Sequence, residues 1–104
     1  MPTPVQTTRD KGSTNSGAVK LLFSAGAKEG RCGMIIFNRD PASRIKVRVL
    51  PAGSAAPTMG DGDEMYTLVP GETFNLTPLG AWFHDVYVWG ESGAVANYVA
   101  EELV

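Results

Sequence analysis

Few residues of this 104-residue chain are of types that do chemistry, and their spacing keeps them apart. His84 is the single histidine. A general base needs a partner and a pocket, and Asp85 beside it points to the opposite face if the segment is extended. Glu101 and Glu102 are adjacent acids, yet neighbouring strand residues face opposite sides and cannot flank one scissile bond. No serine stands in a Gly-x-Ser-x-Gly elbow, and neither a Walker loop nor a Gly-x-Gly-x-x-Gly turn opens a helix. The lone Cys32 excludes an internal disulfide and a multi-cysteine zinc site, and is expected to pack as a small apolar residue in a strand. Asp61, Asp63 and Glu64 offer oxygens to a hard cation, but the spaced acidic series and distal glutamate of an EF-hand loop are missing, so a solvated turn is expected. These residues predict no enzyme, no cofactor and no metal.

Charge and aromatics carry more. All nine Lys and Arg fall in residues 1–50 with three acids, whereas residues 51–104 hold eight acids and no base. The halves either pair within one domain, or a basic face of one copy meets an acidic face of another to build a homo-oligomer. Arg44, Lys46 and Arg48 alternate with Ile45, Val47 and Val49, which puts three cations on one strand face. Such a row guards against edge-to-edge aggregation or serves as a docking stripe for an acidic partner. Arg9 and Lys11 lie in the polar residues 1–17, which hold too little apolar surface to offset ordering entropy and are expected to form a flexible N-terminal arm. Trp82, Phe83, Tyr87 and Trp89 place four of the nine aromatics within nine residues, large contact area for a core or an interface. Trp82, Tyr87, Trp89 and Tyr98 are candidates for a sugar-stacking platform. A net charge of −2 and the lack of an aromatic-plus-basic platform argue against nucleic acid. No run approaches the ~20 apolar residues of a membrane helix, and the N-terminus lacks the apolar core of a signal peptide, so a soluble intracellular product is expected.

The elements that must position these residues read as strands. Residues 18–24 and 31–38 are the first two, the second apolar on both faces from Met34 to Phe37, as for a central strand between two layers. Residues 44–49 follow, and then the longest loop, 51–64. Residues 65–76 and 81–101 read as two successive hairpin units. In the first, Pro70-Gly71 takes the two central positions of a type II turn; in the second, Gly90-Glu91-Ser92-Gly93 joins a run through Val86, Val88 and Trp89 to a last strand at 94–101. About seven short strands and no amphipathic helix predict an all-β fold: a single small antiparallel β-sandwich or barrel, immunoglobulin-like or jelly-roll-like, over residues 18–104, preceded by the arm of residues 1–17.

Three fragments in this order, Arg31-Cys32-Gly33-Met34-Ile35-Ile36-Phe37-Asn38, then Tyr66-Thr67-Leu68-Val69-Pro70-Gly71-Glu72, then Val86-Tyr87-Val88-Trp89 running on to Val99-Ala100-Glu101, resemble small β-sandwich accessory proteins of tailed-bacteriophage particles. The resemblance spans roughly residues 18–102. It implies a structural virion protein, made in the host cytoplasm and carried on the capsid surface. There it would decorate or cement the shell by bridging major capsid protein subunits, and no catalytic residues come with it. A tail or head-tail adaptor component is the alternative within virion proteins, and a small carbohydrate-binding β-sandwich is the alternative outside them. The residues expected to meet a partner are Arg9, Lys11, Arg44, Lys46, Arg48 and Trp82.

Overall fold

Alternation of apolar and polar residues shapes the strands. In β4 (Ile45–Pro51), Ile45 and Val47 are fully buried while Lys46 and Arg48 lie half-buried on the other face. The computed structural model describes residues 7–22, 33–51, 53–59, 64–76 and 84–103. The other strands are β1 (Thr7–Thr14), β2 (Lys20–Leu21), β3 (Gly33–Asn38), β5 (Tyr66–Leu68), β6 (Thr73–Asn75), β7 (His84–Gly90) and β8 (Ala96–Leu103). Among the described residues there is no helix, so the chain is all-β.

The strands form two four-stranded antiparallel sheets, ordered β1-β8-β3-β6 and β2-β7-β4-β5. Each strand pairs with the one equally far from the other end of the series: β1 with β8, β2 with β7, β3 with β6, β4 with β5. This is the jelly-roll order, a long folded-over hairpin wrapped into a sandwich. It is not the immunoglobulin order, in which strands A, B, E and D share one sheet and C, F and G the other.

Three expectations are corrected by this topology. The Pro70-Gly71 turn has the predicted chemistry, with Gly71 at φ 81° and the Glu72 amide donating to the Val69 carbonyl at 3.0 Å. The strands on either side of it nevertheless belong to different sheets, so it is a crossover and not a hairpin. The same holds for the Gly90–Gly93 connection between β7 and β8. Turn residues fix a local reversal, while pairing goes to whichever strand completes a buried layer. The third correction concerns the arm. Thr7–Thr14 is strand β1, in register with β8 from Thr7↔Leu103 to Thr14↔Ala96, and it is also the strand beyond the seven expected. Backbone ladder bonds need no apolar side chains, so a polar segment completes the sheet and covers an edge β8 would otherwise expose.

The core lies between the sheets. Met34, Ile36, Tyr98 and Ala100 from one face Ile45, Val47, Val86 and Val88 from the other, each at most 1% exposed. Lys20 lies 5.1 Å from the centroid of the buried Tyr98 ring, a cation–π contact from one sheet to the other.

One end of the sandwich is tied by a buried polar node. The Asn38 side-chain amide donates to the carbonyls of Ser43 (2.9 Å) and Leu68 (3.0 Å), and its oxygen accepts from the Asp40 amide (3.0 Å). Asp40 in turn accepts from the amides of Ala42 (3.1 Å) and Ser43 (2.8 Å), and from both the backbone and side-chain nitrogens of Asn97. The Ser43 amide first, then those of Ala42 and Asn97, hold the Asp40 carboxyl below its ordinary pKa of 3.8, against the opposing effect of burial.

Two outcomes follow for the node. Asn38→Ala leaves the Ser43 and Leu68 carbonyls and the Asp40 amide without their partner, and should cost about 2–4 kcal/mol in urea unfolding. Asp40 ionises more readily folded than unfolded, so its contribution is complete above the unfolded pKa and is lost as the pH falls through 3.8 to the lowered folded value. Asp40→Asn should therefore flatten the acid limb of the stability–pH curve. An unchanged limb would assign acid unfolding to other carboxylates.

Candidate functional site

Two outer surfaces stand out. The first is the outward face of β1-β8-β3-β6. Alternation along β3 sends Met34, Ile36 and Asn38 inward and leaves Ile35 and Phe37 outward, 37% and 38% exposed at the middle of the sheet. Register sets Ile35 between Glu101 and Asn75, and Phe37 between Val99 and Thr73. Ile35, Phe37, Thr73, Val99 and Glu101 line a shallow hollow of about 360 Å³. On the edge strand, Arg9 stands across from Glu101 and Lys11 across from Val99. The run from Met34 to Phe37 is thus apolar on both sides with its outer residues exposed, which corrects the expected two-sided burial. The signal for an exposed apolar face was present in the sequence, but it has the same pattern as a fully buried strand.

The second surface is the outward face of β2-β7-β4-β5. Here the row Trp89–Lys46–Thr67 crosses three strands in register. Over it stands a cleft of about 320 Å³, lined also by Arg44, Glu91, Ser16 and Met59. The segment from Gly53 to Met59 approaches this face, with the Gly53 amide donating to the Asp85 carboxylate at 3.2 Å. Trp89 and Tyr87 are 2% and 8% exposed, so both faces of β7 are covered, as the sequence suggested.

The cations expected to form a docking stripe are engaged within the chain. Arg44 pairs with Glu91, and Lys46 with Glu64 at 2.8 Å, both of Lys46 and Glu64 being half-buried; Arg48 is also engaged. Moreover, β4 is an interior strand between β7 and β5, so its cations do not guard an edge. Arg9 and Lys11 belong to the other sheet, and Trp82 lies outside the described residues. The six predicted residues therefore do not converge on one site. A stacking platform is likewise not formed by Tyr87, Trp89 and Tyr98, all buried. Cys32, Asp61 and Asp63 lie outside the described residues.

A third, smaller apolar group sits at the open side of the sandwich. Tyr66 and Phe74 form a tilted ring pair, with centroids 4.6 Å apart and planes at 48°, and Met65 and Val69 at either end of β5 are exposed. Tyr66 donates its hydroxyl to Glu72 at 2.7 Å, and that bond, with lesser contributions from burial and the carboxylate's charge, raises its pKa above 10.0.

No protein-family model, curated protein or solved structure matches this chain.

The wall of the cleft depends on a close approach at Gly90. Its amide donates to the Asn15 carbonyl at 3.0 Å, and a Cβ there would stand 2.6 Å from the Asn15 Cα. Backbone cannot swing aside as a flexible side chain does. Gly90→Ala should push the β1–β2 turn off β7 and cost about 1–3 kcal/mol in urea unfolding. Arg44→Ala, which breaks a pair 52% and 32% exposed, should cost less than about 1 kcal/mol in the same measurement.

Proposed function

We propose that this chain is a structural virion protein of a tailed phage, a capsid decoration or cement subunit that docks on the major capsid protein through the outer face of β1-β8-β3-β6. The observation that carries the reading is the pair Ile35 and Phe37, exposed at the centre of a sheet and not scattered at its rim. A central strand holds its side chains in fixed directions, so a flat partner gains contact without ordering a loop.

The size of the face sets how it works. Four strands about 4.8 Å apart and some 20 Å long present on the order of 400 Å². That is less than the roughly 800 Å² per partner of a standard stable pair. A single contact of this size is weak. Repeated over a shell it becomes effective, because each copy that binds only the mature lattice stabilises that lattice by mass action and avidity. The neutralised cations of β4 favour the same face over the cationic row as the docking surface.

The test uses heads of the phage that encodes the chain, prepared without it. Added wild-type protein should bind at high copy number over the shell and raise its resistance to heat. Ile35→Thr with Phe37→Thr should lower occupancy at least about tenfold while leaving the unfolding midpoint of the isolated protein nearly unchanged. Heads equally heat-resistant with and without the protein, and no cosedimentation, would sink the reading. Low-copy binding confined to the portal vertex would replace it with an adaptor role.

A further inference from the structure

The cleft on the opposite sheet has a chemistry that docking through Ile35 and Phe37 does not use. Its volume, about 320 Å³, falls at the lower end of small-ligand pockets, but its lining is polar where most such pockets are apolar. Thr67 and Ser16 supply hydroxyls, Arg44 and Lys46 supply nitrogen donors, and Glu91 supplies a carboxylate acceptor. An apolar ligand would strip these groups of water without replacing the hydrogen bonds.

Charge decides between the polar alternatives. Arg44 is paired with Glu91, and Lys46 with Glu64, so each cation is already neutralised within the chain and offers little net charge to an anion, while its remaining N–H donors stay open to neutral groups. A ligand that carries hydroxyl groups suits such pairs, since each hydroxyl donates to a carboxylate and accepts from a guanidinium or ammonium. Met59, also in the lining, gives an apolar flank of the kind that the C–H face of a sugar ring packs against. Met59 also has φ 64°, a left-handed conformation that a side chain rarely adopts, at the rim of the same cleft. Strained residues of this kind gather at ligand clamps.

We infer that this cleft binds one neutral hexopyranose unit, held by hydrogen bonds to the Arg44–Glu91 pair, Lys46 and Thr67, with Met59 against its apolar face. The site lies on the sheet opposite the proposed docking face, so the two faces can be occupied together. It does not depend on the virion reading.

The test is a ¹⁵N–¹H NMR titration of the full chain with glucose, galactose, mannose and N-acetylglucosamine in turn, and separately with inorganic phosphate. At least one sugar should give saturable shifts of the Ser16, Thr67, Gly90 and Glu91 amides. Arg44→Ala with Glu91→Ala should weaken that binding by about tenfold or more, through the loss of charge-assisted hydrogen bonds. Thr67→Val, close in shape and suited to a strand, provides a second variant should the first unfold, and it should weaken the same sugar. The inference is overturned if none of the four sugars gives saturable shifts at these amides, if the shifts persist undiminished in a folded variant, or if phosphate saturates the site and the sugars do not. Head binding in the same variants should be unchanged, which separates a failure here from a failure of the docking reading.

Discussion

The carboxamide of Asn38 and the carboxylate of Asp40 hold together a fold whose neighbouring strands mostly do not pair. The Asn38 amide reaches from β3 in one sheet to the Leu68 carbonyl at the end of β5 in the other, and its backbone accepts from Gly71 and donates to Glu72 in the crossover turn. Asp40 adds the start of β8 through Asn97, and the approach to β4 through Ala42 and Ser43. Three stretches of the chain, residues 38–43, 68–72 and 97, thus meet at Asn38 and Asp40. A node of this kind is costly when half made and rigid when complete, because each buried donor or acceptor left over would be an uncompensated loss. Its completeness accounts for how the ends of β3 and β5, at Asn38 and Leu68, can be fully buried.

The jelly-roll pairing also explains the uneven charge. Strands β1 to β4 end at Pro51 and β5 to β8 begin at Tyr66, and every ladder in both sheets joins one strand from the first set to one from the second. A basic half and an acidic half are therefore interleaved, which places Arg9 across from Glu101 and brings Arg44 to Glu91 and Lys46 to Glu64. Read along the chain, the split offered two explanations, pairing within one domain or opposed faces on separate copies, and the pairs Arg44–Glu91 and Lys46–Glu64 are of the first kind. In the fold it serves register within one molecule, since a slipped ladder would set like charges together or leave cations unmatched.

How much of this was legible depends on the range of the interaction. Alternation from Arg44 to Val49, the Pro70-Gly71 turn and the two covered faces of Val86–Trp89 are local features, and the sequence shows each of them. Strand partners are not local. Pairing of β3 with β6 and β8, and not with β2 or β4, is decided by layers that close only when the whole chain is present. For the same reason Thr7–Thr14 looked like an arm: its polar side chains carry no strand signal, and its pairing comes from a backbone that every sequence shares. Asn38 and Asp40 carry no local signal of the node they build, and the burial of Glu102 on the core side of β8 is set by its sheet and not by its neighbours in sequence.

Ile35 and Phe37 show where the local pattern and the fold diverge most usefully. A strand apolar on both faces has two physical solutions: a layer on each side, or one layer and a partner. Residues 53–59 approach the outer face of the second sheet, where β7 is buried on both sides, whereas the outer face of β3 keeps its apolar residues exposed at mid-sheet. The two sheets therefore differ in kind. One has its outer polar groups satisfied by ion pairs around a cleft, and the other keeps an apolar surface on a strand whose geometry is fixed from both neighbours, β8 and β6. On that second side the geometry of the strand is fixed within the sheet, so a contact made there would cost little conformational freedom.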